Sequence, residues 1–245
     1  MNAALAEDIR KVRHALSTAK RILVITGAGI SAESNIPTFR SEGGWWQSLD
    51  PQKLATKKAF VKNPKKVWKW YDYRRRLIAN ARPNAAHRAL AAWEAKGTRV
   101  AIVTQNVDDL HERAGSLEVI HIHGSIWQVK CEKDRKVRED RRVPLPKLPP
   151  VCECGGRLRP NVVWFDERVP AAANRRIREF FAAGPIDLVL VVGTEATFDY
   201  IRKYAKAAKK QGALLVEINP NKTALTKSVD IHLGDKAGKI FRLLS

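Results

Sequence analysis

The chain has no apolar run of about 18 residues, so it offers no candidate for a membrane-crossing helix. Its opening residues include Glu7 and Asp8 and no apolar core, so a secretory leader is not expected. Cysteine is scarce, with only Cys131, Cys152 and Cys154. Three thiols do not build a disulfide framework, and their clustering suggests a metal site instead. The sequence carries no internal repeat, no single basic arm and no nucleic-acid-binding motif. Together these absences favour a cytoplasmic globular protein with no membrane partner. Acidic residues are in deficit as well, 25 against 45 lysines and arginines, for a net charge of +20. A field of that sign attracts acidic partners or nucleic acid. The basic residues are dispersed along the chain (65–66, 74–76, 133–142, 203–210). A solvated basic surface is therefore the first reading, acidic partners stay open, and nucleic acid is not expected as a substrate.

What is present is an alternation of short apolar runs with amphipathic segments. Leu5, Ile9, Val12 and Leu16 at helical spacing predict an opening helix over 3–20. Ile22 to Ile25, Arg99 to Val103, Glu118 to Ile122, Asp187 to Val192 and Ala213 to Ile218 read as strands. Helices are expected near Pro64–Asn80, from Asn84 as N-cap to Gly97, over Val107 to Arg113 ending at Gly115, and near Phe198–Lys210. Strands alternating with helices imply an α/β fold with a doubly wound parallel sheet. The expected organisation is a Rossmann-like domain of 1–40, 84–125 and 161–245, of ample length for a core. Two insertions, a helical one at 41–83 and a cysteine-bearing one at 126–160, would form a smaller domain.

The most specific run, Gly27-Ala28-Gly29-Ile30-Ser31-Ala32, directly follows the first strand. Gly27, Gly29 and Ala32 fall in the G-x-G-x-x-G/A spacing, which lets a backbone turn tightly and approach a pyrophosphate at a helix N-terminus. Pro37-Thr38-Phe39-Arg40 then stands in place of a second strand ending in an acidic residue. An aromatic ring and a guanidinium under a loop would lie near the reactive end of a dinucleotide. His123 follows a strand and precedes Gly124, which exposes it at the rim, and a near-neutral imidazole can take a proton from a hydroxyl. His121 reads as a structural histidine. Tyr71 and Arg74, three apart, share a helix face; by residue type alone they are a core tyrosine and one member of the charged run 74–76.

With Thr104-Gln105-Asn106-Val107-Asp108 and His121-Ile122-His123-Gly124-Ser125 downstream, the glycine run resembles the sirtuins, NAD-dependent protein-lysine deacylases. The resemblance extends from Ile22 to the terminal region around Ala237. It implies an NAD site built from Gly27, Ala28, Gly29, Ile30, Ser31, Gln105, Asn106, Asp108, Gly193, Thr194, Asn219 and Ala237. Phe39 would shield the anomeric carbon and Arg40 would approach the phosphate side of the loop. Asn106 and Asp108 would line the nicotinamide pocket, although either could simply cap the following helix. His123 would be the general base on the ribose hydroxyl that traps the acyl intermediate. Glu195 departs from the family, where serine is commoner.

The same resemblance makes 160–167 the segment that receives an acylated-lysine protein or peptide. Val163, Trp164 and Phe165 would line the lysine tunnel, with the backbone pairing to an extended peptide. Asp166 replaces a family glycine and would add acidic charge at the peptide cleft. Tyr71 and Arg74 resemble the pair that reads the distal carboxylate of succinyl- or malonyl-lysine, and Ala55 would leave room for the acyl chain. The cysteines resemble a zinc module with two cysteine pairs, but Asp134 stands where the fourth thiol is expected. Asp134 could complete a tetrahedral site, the site could hold zinc weakly, or the metal could be lost; the reading carried forward is structural zinc on Cys131, Cys152, Cys154 and Asp134. The implied reaction removes acetyl groups, and succinyl or malonyl groups, releasing nicotinamide and O-acyl-ADP-ribose. The rival enzyme readings are ADP-ribosyl transfer and NAD hydrolysis, and a rival from another class is a non-catalytic binding module.

Overall fold

The structure is a computed structural model that describes residues 3–38 and 51–245. Six parallel strands form its main sheet: β1 (Arg21–Thr26), β2 (Arg99–Thr104), β3 (Val119–His121), β7 (Leu188–Val192), β8 (Leu214–Ile218) and β9 (Ile231–Leu233). Their spatial order is β3-β2-β1-β7-β8-β9. The chain reverses direction across the sheet between β1 and β7, the switch point at which ligands of such sheets bind.

Alternate residues of each strand feed opposite cores, which is why the strands read as unbroken apolar runs. Ile22, Val24, Val100 and Ile102 pack with α1 (Ala3–Thr18), α5 (Ala85–Ala95) and α9 (Ala237–Leu244). Leu23, Ile25, Ala101 and Val103 pack with α7 (Ala171–Ala182) and α8 (Asp199–Lys210). The doubly wound parallel architecture thus stands as expected. The capping of α5 by Asn84 is a full capping box, completed by His87. Helix α6 (Leu110–Ala114) starts three residues later than its apolar pattern suggests, because residues 105–109 are used as a loop at the strand ends.

A second core joins α3 (Lys57–Lys62) and α4 (Pro64–Asn80) to a small antiparallel sheet ordered β5-β4-β6. These strands are β4 (Gly124–Cys131), β5 (Val137–Glu139) and β6 (Leu158–Val162). Segment 126–160, for which the sequence pattern predicts no strand, contains most of a sheet. Its overlooked signal is the alternation of buried Trp127, Val129 and Cys131 with half-buried Gln128 and Lys130. Helix α7 also lay outside the expected elements, though Ala173, Ile177 and Phe180 mark its buried face. The two sub-structures meet polar as well as apolar demands: wholly buried Arg75 reaches Asp140 at 3.3 Å, and Trp68 donates to the Leu158 carbonyl at 2.8 Å.

Candidate active site

The predicted cofactor and catalytic residues that are described gather at the carboxyl ends of the parallel strands. After β1 the backbone makes a short 3-10 helix, Ala28–Ser34. The amide of Gly27 donates to Val192 O at 3.0 Å and that of Gly29 to Gly193 O at 2.8 Å. Both glycines are thus required by the close approach of the turn after β7. A Cβ on Gly29 would lie 2.7 Å from the Gly193 Cα.

Ser31, Asn106 and Asp108 form one buried polar cluster beside this turn. Ser31 Oγ donates to Asp108 Oδ2 at 3.1 Å, and Asn106 Nδ2 lies 3.2 Å from both the Ser31 hydroxyl and Gly27 O. Asp108 Oδ1 also accepts from the Leu110 amide at 3.1 Å, so this carboxylate caps α6 while facing the cluster. Burial raises the pKa of Asp108 against the opposing pull of those two donors. Beneath it, Thr26 donates to Thr104, and the Asn106 amide donates to the same Thr104 hydroxyl. Buried hydrogen bonds of this kind leave the loop little freedom.

Gln105 bridges to the far half of the site, donating to Thr194 Oγ1 at 2.8 Å. Asn219, at the end of β8, donates to the Thr194 carbonyl at 3.1 Å. Glu195 is half-buried, and its carbonyl accepts weakly from Ala224 at 3.4 Å. Ala237 opens α9, where Glu33 accepts from the Gly238 amide at 2.5 Å, a carboxylate at a helix N-terminus. Phe39 and Arg40 lie outside the described residues.

His123 lies in the two-residue turn between β3 and β4. Its Nδ1 lies 3.0 Å from the Gln105 carbonyl, which fixes the proton on Nδ1 and leaves the lone pair on Nε2. Burial lowers its pKa, opposed by the Gln105 carbonyl, so the imidazole is held neutral, the form a base needs. Its Nε2 is 2.6 Å from Tyr200 Oη. Nothing in the sequence spacing singles out Tyr200. His121 is tied instead to Glu112 Oε1 at 2.5 Å and to the Asn106 carbonyl at 3.2 Å.

The acyl-side residues lie where α4 meets the segment after β6. Tyr71 is buried and its hydroxyl accepts from Trp164 Nε1 at 3.0 Å, while burial raises its pKa to about 12. Trp164 belongs to the small-sheet core, packed on Phe60 with the Arg159 guanidinium 3.5 Å over its ring. Phe165 is exposed and Val163 half-buried, so the three neighbours have different surroundings. The Arg74 guanidinium lies 5.1 Å from the Trp70 ring and 5.9 Å from that of Tyr71. Burial lowers its pKa, against the pull of Tyr71 and of Asp108, whose carboxylate is near enough to act on it. Of the arginine run, Arg75 is wholly buried and Arg76 pairs with Asp72, so the three consecutive residues have three different surroundings. Phe165 N donates to Ala55 O at 3.0 Å, and Asp166 accepts from the Lys57 amide at 3.0 Å with both oxygens.

Cys131, Asp134, Cys152 and Cys154 place one ligand atom each within 4.8 Å of one another. Cys131 and Cys154 sulfurs are 3.5 Å apart, and Cys152 Sγ is 3.7 Å from Asp134 Oδ2. A tetrahedral zinc with bonds of roughly 2.3 Å to sulfur requires ligand separations of about 3.8 Å. The donor set therefore fits zinc, with three sulfurs and one carboxylate oxygen. Arg138 donates to Asp134 Oδ2 at 2.7 Å, the kind of outer partner that orients a ligating carboxylate. Among the described residues no helix is long and apolar enough to cross a membrane.

Residues 27–199 match the model of the Sir2 family. The chain is 46% identical to an NAD-dependent protein deacylase of Aquifex aeolicus over 217 residues, 88% of this chain and 90% of that one. It is 44% identical to NAD-dependent protein deacylase 1 of Archaeoglobus fulgidus, covering 94% of each. A solved Sir2 homolog–NAD complex superposes with a TM-score of 0.89 at 41% identity, over 96% of this chain and 92% of that one. With its glycine turn, its Asn106–Asp108 loop and its neutral His123 at the expected strand ends, the chain belongs to the Sir2 family.

Proposed function

We propose that the protein is an NAD-dependent protein-lysine deacylase that removes acetyl groups and, through Tyr71 and Arg74, succinyl and malonyl groups. The observation that carries this reading is the meeting of Ser31, Asn106, Asp108 and a neutral His123 at the ends of β1 to β3. Bound NAD supplies an electrophilic anomeric carbon with nicotinamide as leaving group. Asn106 directs its amide hydrogens to Gly27 and Ser31, so its side-chain carbonyl is the group offered to a carboxamide. The acyl oxygen would displace nicotinamide at the anomeric carbon, His123 Nε2 would take the proton of the ribose hydroxyl as it attacks the acyl carbon, and water would then free lysine and O-acyl-ADP-ribose.

Three features support the acidic-acyl part. Tyr71 already accepts from Trp164, so its own proton can be donated to a distal carboxylate. Its raised pKa keeps that proton in place at neutral pH. Arg74 can give two parallel hydrogen bonds to the same carboxylate. The cysteine cluster would stiffen the small sheet as a structural zinc site, distinct from the reacting centre. Asp166 accepts from the Lys57 amide and stays exposed, so its charge at the cleft favours basic residues near the target lysine, while the +20 field favours acidic partners more broadly.

The test is to incubate the protein with NAD and paired acetyl-lysine and succinyl-lysine peptides and follow both by mass spectrometry. Succinyl removal that collapses in Arg74→Met, with acetyl removal spared, is the expected result. Acetyl removal alone would return Tyr71 and Arg74 to packing roles. Nicotinamide release that needs no acyl peptide would instead support NAD hydrolysis or ADP-ribosyl transfer.

A further inference from the structure

His123 is hydrogen-bonded at both ring nitrogens. The Gln105 carbonyl can only accept, so Nδ1 carries the proton and Nε2 holds the single in-plane lone pair of the neutral ring. Tyr200 Oη, 2.6 Å away, donates to that lone pair. A ribose hydroxyl that gives its proton to Nε2 must occupy the same position. One lone pair does not serve two hydroxyl donors, so the ribose and Tyr200 exclude each other at this atom.

Tyr200 is the second residue of α8, and its ring stacks on Phe198 at 5.4 Å with an interplanar angle of 14°. Phe198 is 36% exposed, so this aromatic pair lies at the rim of the site. The segment leading to it turns at Ala196, a non-glycine residue with φ +51°. Such a conformation persists only where neighbours hold it. The holding group is Arg202, which donates to the carbonyls of Ala196 and Thr197 and pairs with Asp199.

We propose that Tyr200 is a latch on the catalytic base: its hydroxyl occupies His123 Nε2 and must rotate away for the ribose hydroxyl to engage, so Tyr200 sets the apparent affinity for NAD. The proposal rests on His123 being the base. Burial holds the Tyr200 phenol at a pKa of about 12, so it is a neutral donor throughout the working range. Apparent affinity falls by the fraction of molecules with the latch open. The net worth of one hydrogen bond makes that factor roughly fivefold.

Tyr200→Phe removes the hydroxyl and keeps the stacked ring. With the full chain and an acetyl-lysine peptide, the KM for NAD should fall roughly fivefold while kcat does not fall. Carbethoxylation of His123 by diethyl pyrocarbonate, located by fragment mass spectrometry, should be faster in the variant than in the parent. A KM that is unchanged or raised overturns the latch, as does an unchanged rate of His123 modification. A collapse of kcat overturns it in a different way, by making Tyr200 a proton relay. His123→Ala assayed in parallel separates the two questions: full activity there refutes the base assignment itself, whereas the modification rate reads the Tyr200 contact directly.

Discussion

The amide of Gly29 donates to the carbonyl of Gly193 at 2.8 Å, so the turns after β1 and β7 are packed backbone on backbone. Gly193 adopts φ +60°, and a Cβ there would stand 2.4 Å from the Ile30 nitrogen. Gly193→Ala should therefore lower stability by at least about 2 kcal/mol, from the left-handed strain plus the clash. In a chain of this size that is a fall of roughly 5 °C or more in Tm. Gly97→Ala is the control. Its φ is +92° but nothing lies within 4 Å of the added carbon, so only the strain remains. Equal shifts in the two variants would show that packing of the turns is not the cause.

The pH profile of kcat/KM should report His123. The base works when neutral, and burial, with only partial opposition from the Gln105 carbonyl, lowers its pKa. Activity should therefore persist as pH falls below the ordinary histidine range and drop only below the depressed value. His123→Ala should cost about 10²–10⁴ in kcat and abolish that acid limb. An acid limb above the ordinary histidine range would contradict the assignment.

Zinc content tests the Cys131–Asp134–Cys152–Cys154 cluster. The purified protein should carry one zinc per chain by elemental analysis, and Asp134→Cys should keep it, since thiolate is the better ligand. Cys152→Ser should lose the metal together with thermal stability. Arg138→Met, which frees the Asp134 carboxylate from its partner, should weaken zinc retention roughly 10–100-fold against a chelator. Zinc retained in full by Cys152→Ser would exclude this ligand set.

His87 and His111 predict how stability responds to acid. They lie 4.9 Å apart in the interior, edge to face. Burial, with the charge of Arg88, pushes His87 down to about 4, and burial holds His111 well below its ordinary value. Both are neutral in the folded chain, while an unfolded chain protonates them below about 6.5. The unfolded state then binds more protons, so stability is full above that pH and declines toward pH 4. For His87 alone the decline reaches about 3 kcal/mol. His87→Asn keeps an acceptor for the Asn84 amide, and its Tm should fall less steeply between pH 7 and pH 4.5 than that of the parent. An unchanged slope would show that His87 is not the titrating group.

Much of this architecture could be read directly along the chain. Ile22 to Ile25 and Leu188 to Val192 announce a two-faced parallel sheet, because burial on both sides removes any polar alternation. Asn84 and Gly97 mark the ends of α5 by local backbone chemistry alone. Segment 126–160 is harder to read because charged and proline-rich stretches separate its strands and dilute the period of two, even though β4 runs for 8 residues. Asp166 reads from the chain as charge at the peptide cleft, but no local spacing shows that its oxygens also accept from the Lys57 amide, 109 residues away.

By itself, the sequence determined the order of β1, β2, β3, β7 and β8, the glycine turn and the residues at those strand ends, since each depends on neighbours within a few positions. Only the tertiary structure decided that Tyr200 meets His123 across 77 residues and that Trp164 donates to Tyr71 across 93. The physical reason is that a parallel sheet brings the ends of non-consecutive strands to one edge. His123 and Tyr200 meet by packing across that edge, and Tyr71 and Trp164 by the packing of α4 on the small sheet, neither of which a local spacing encodes.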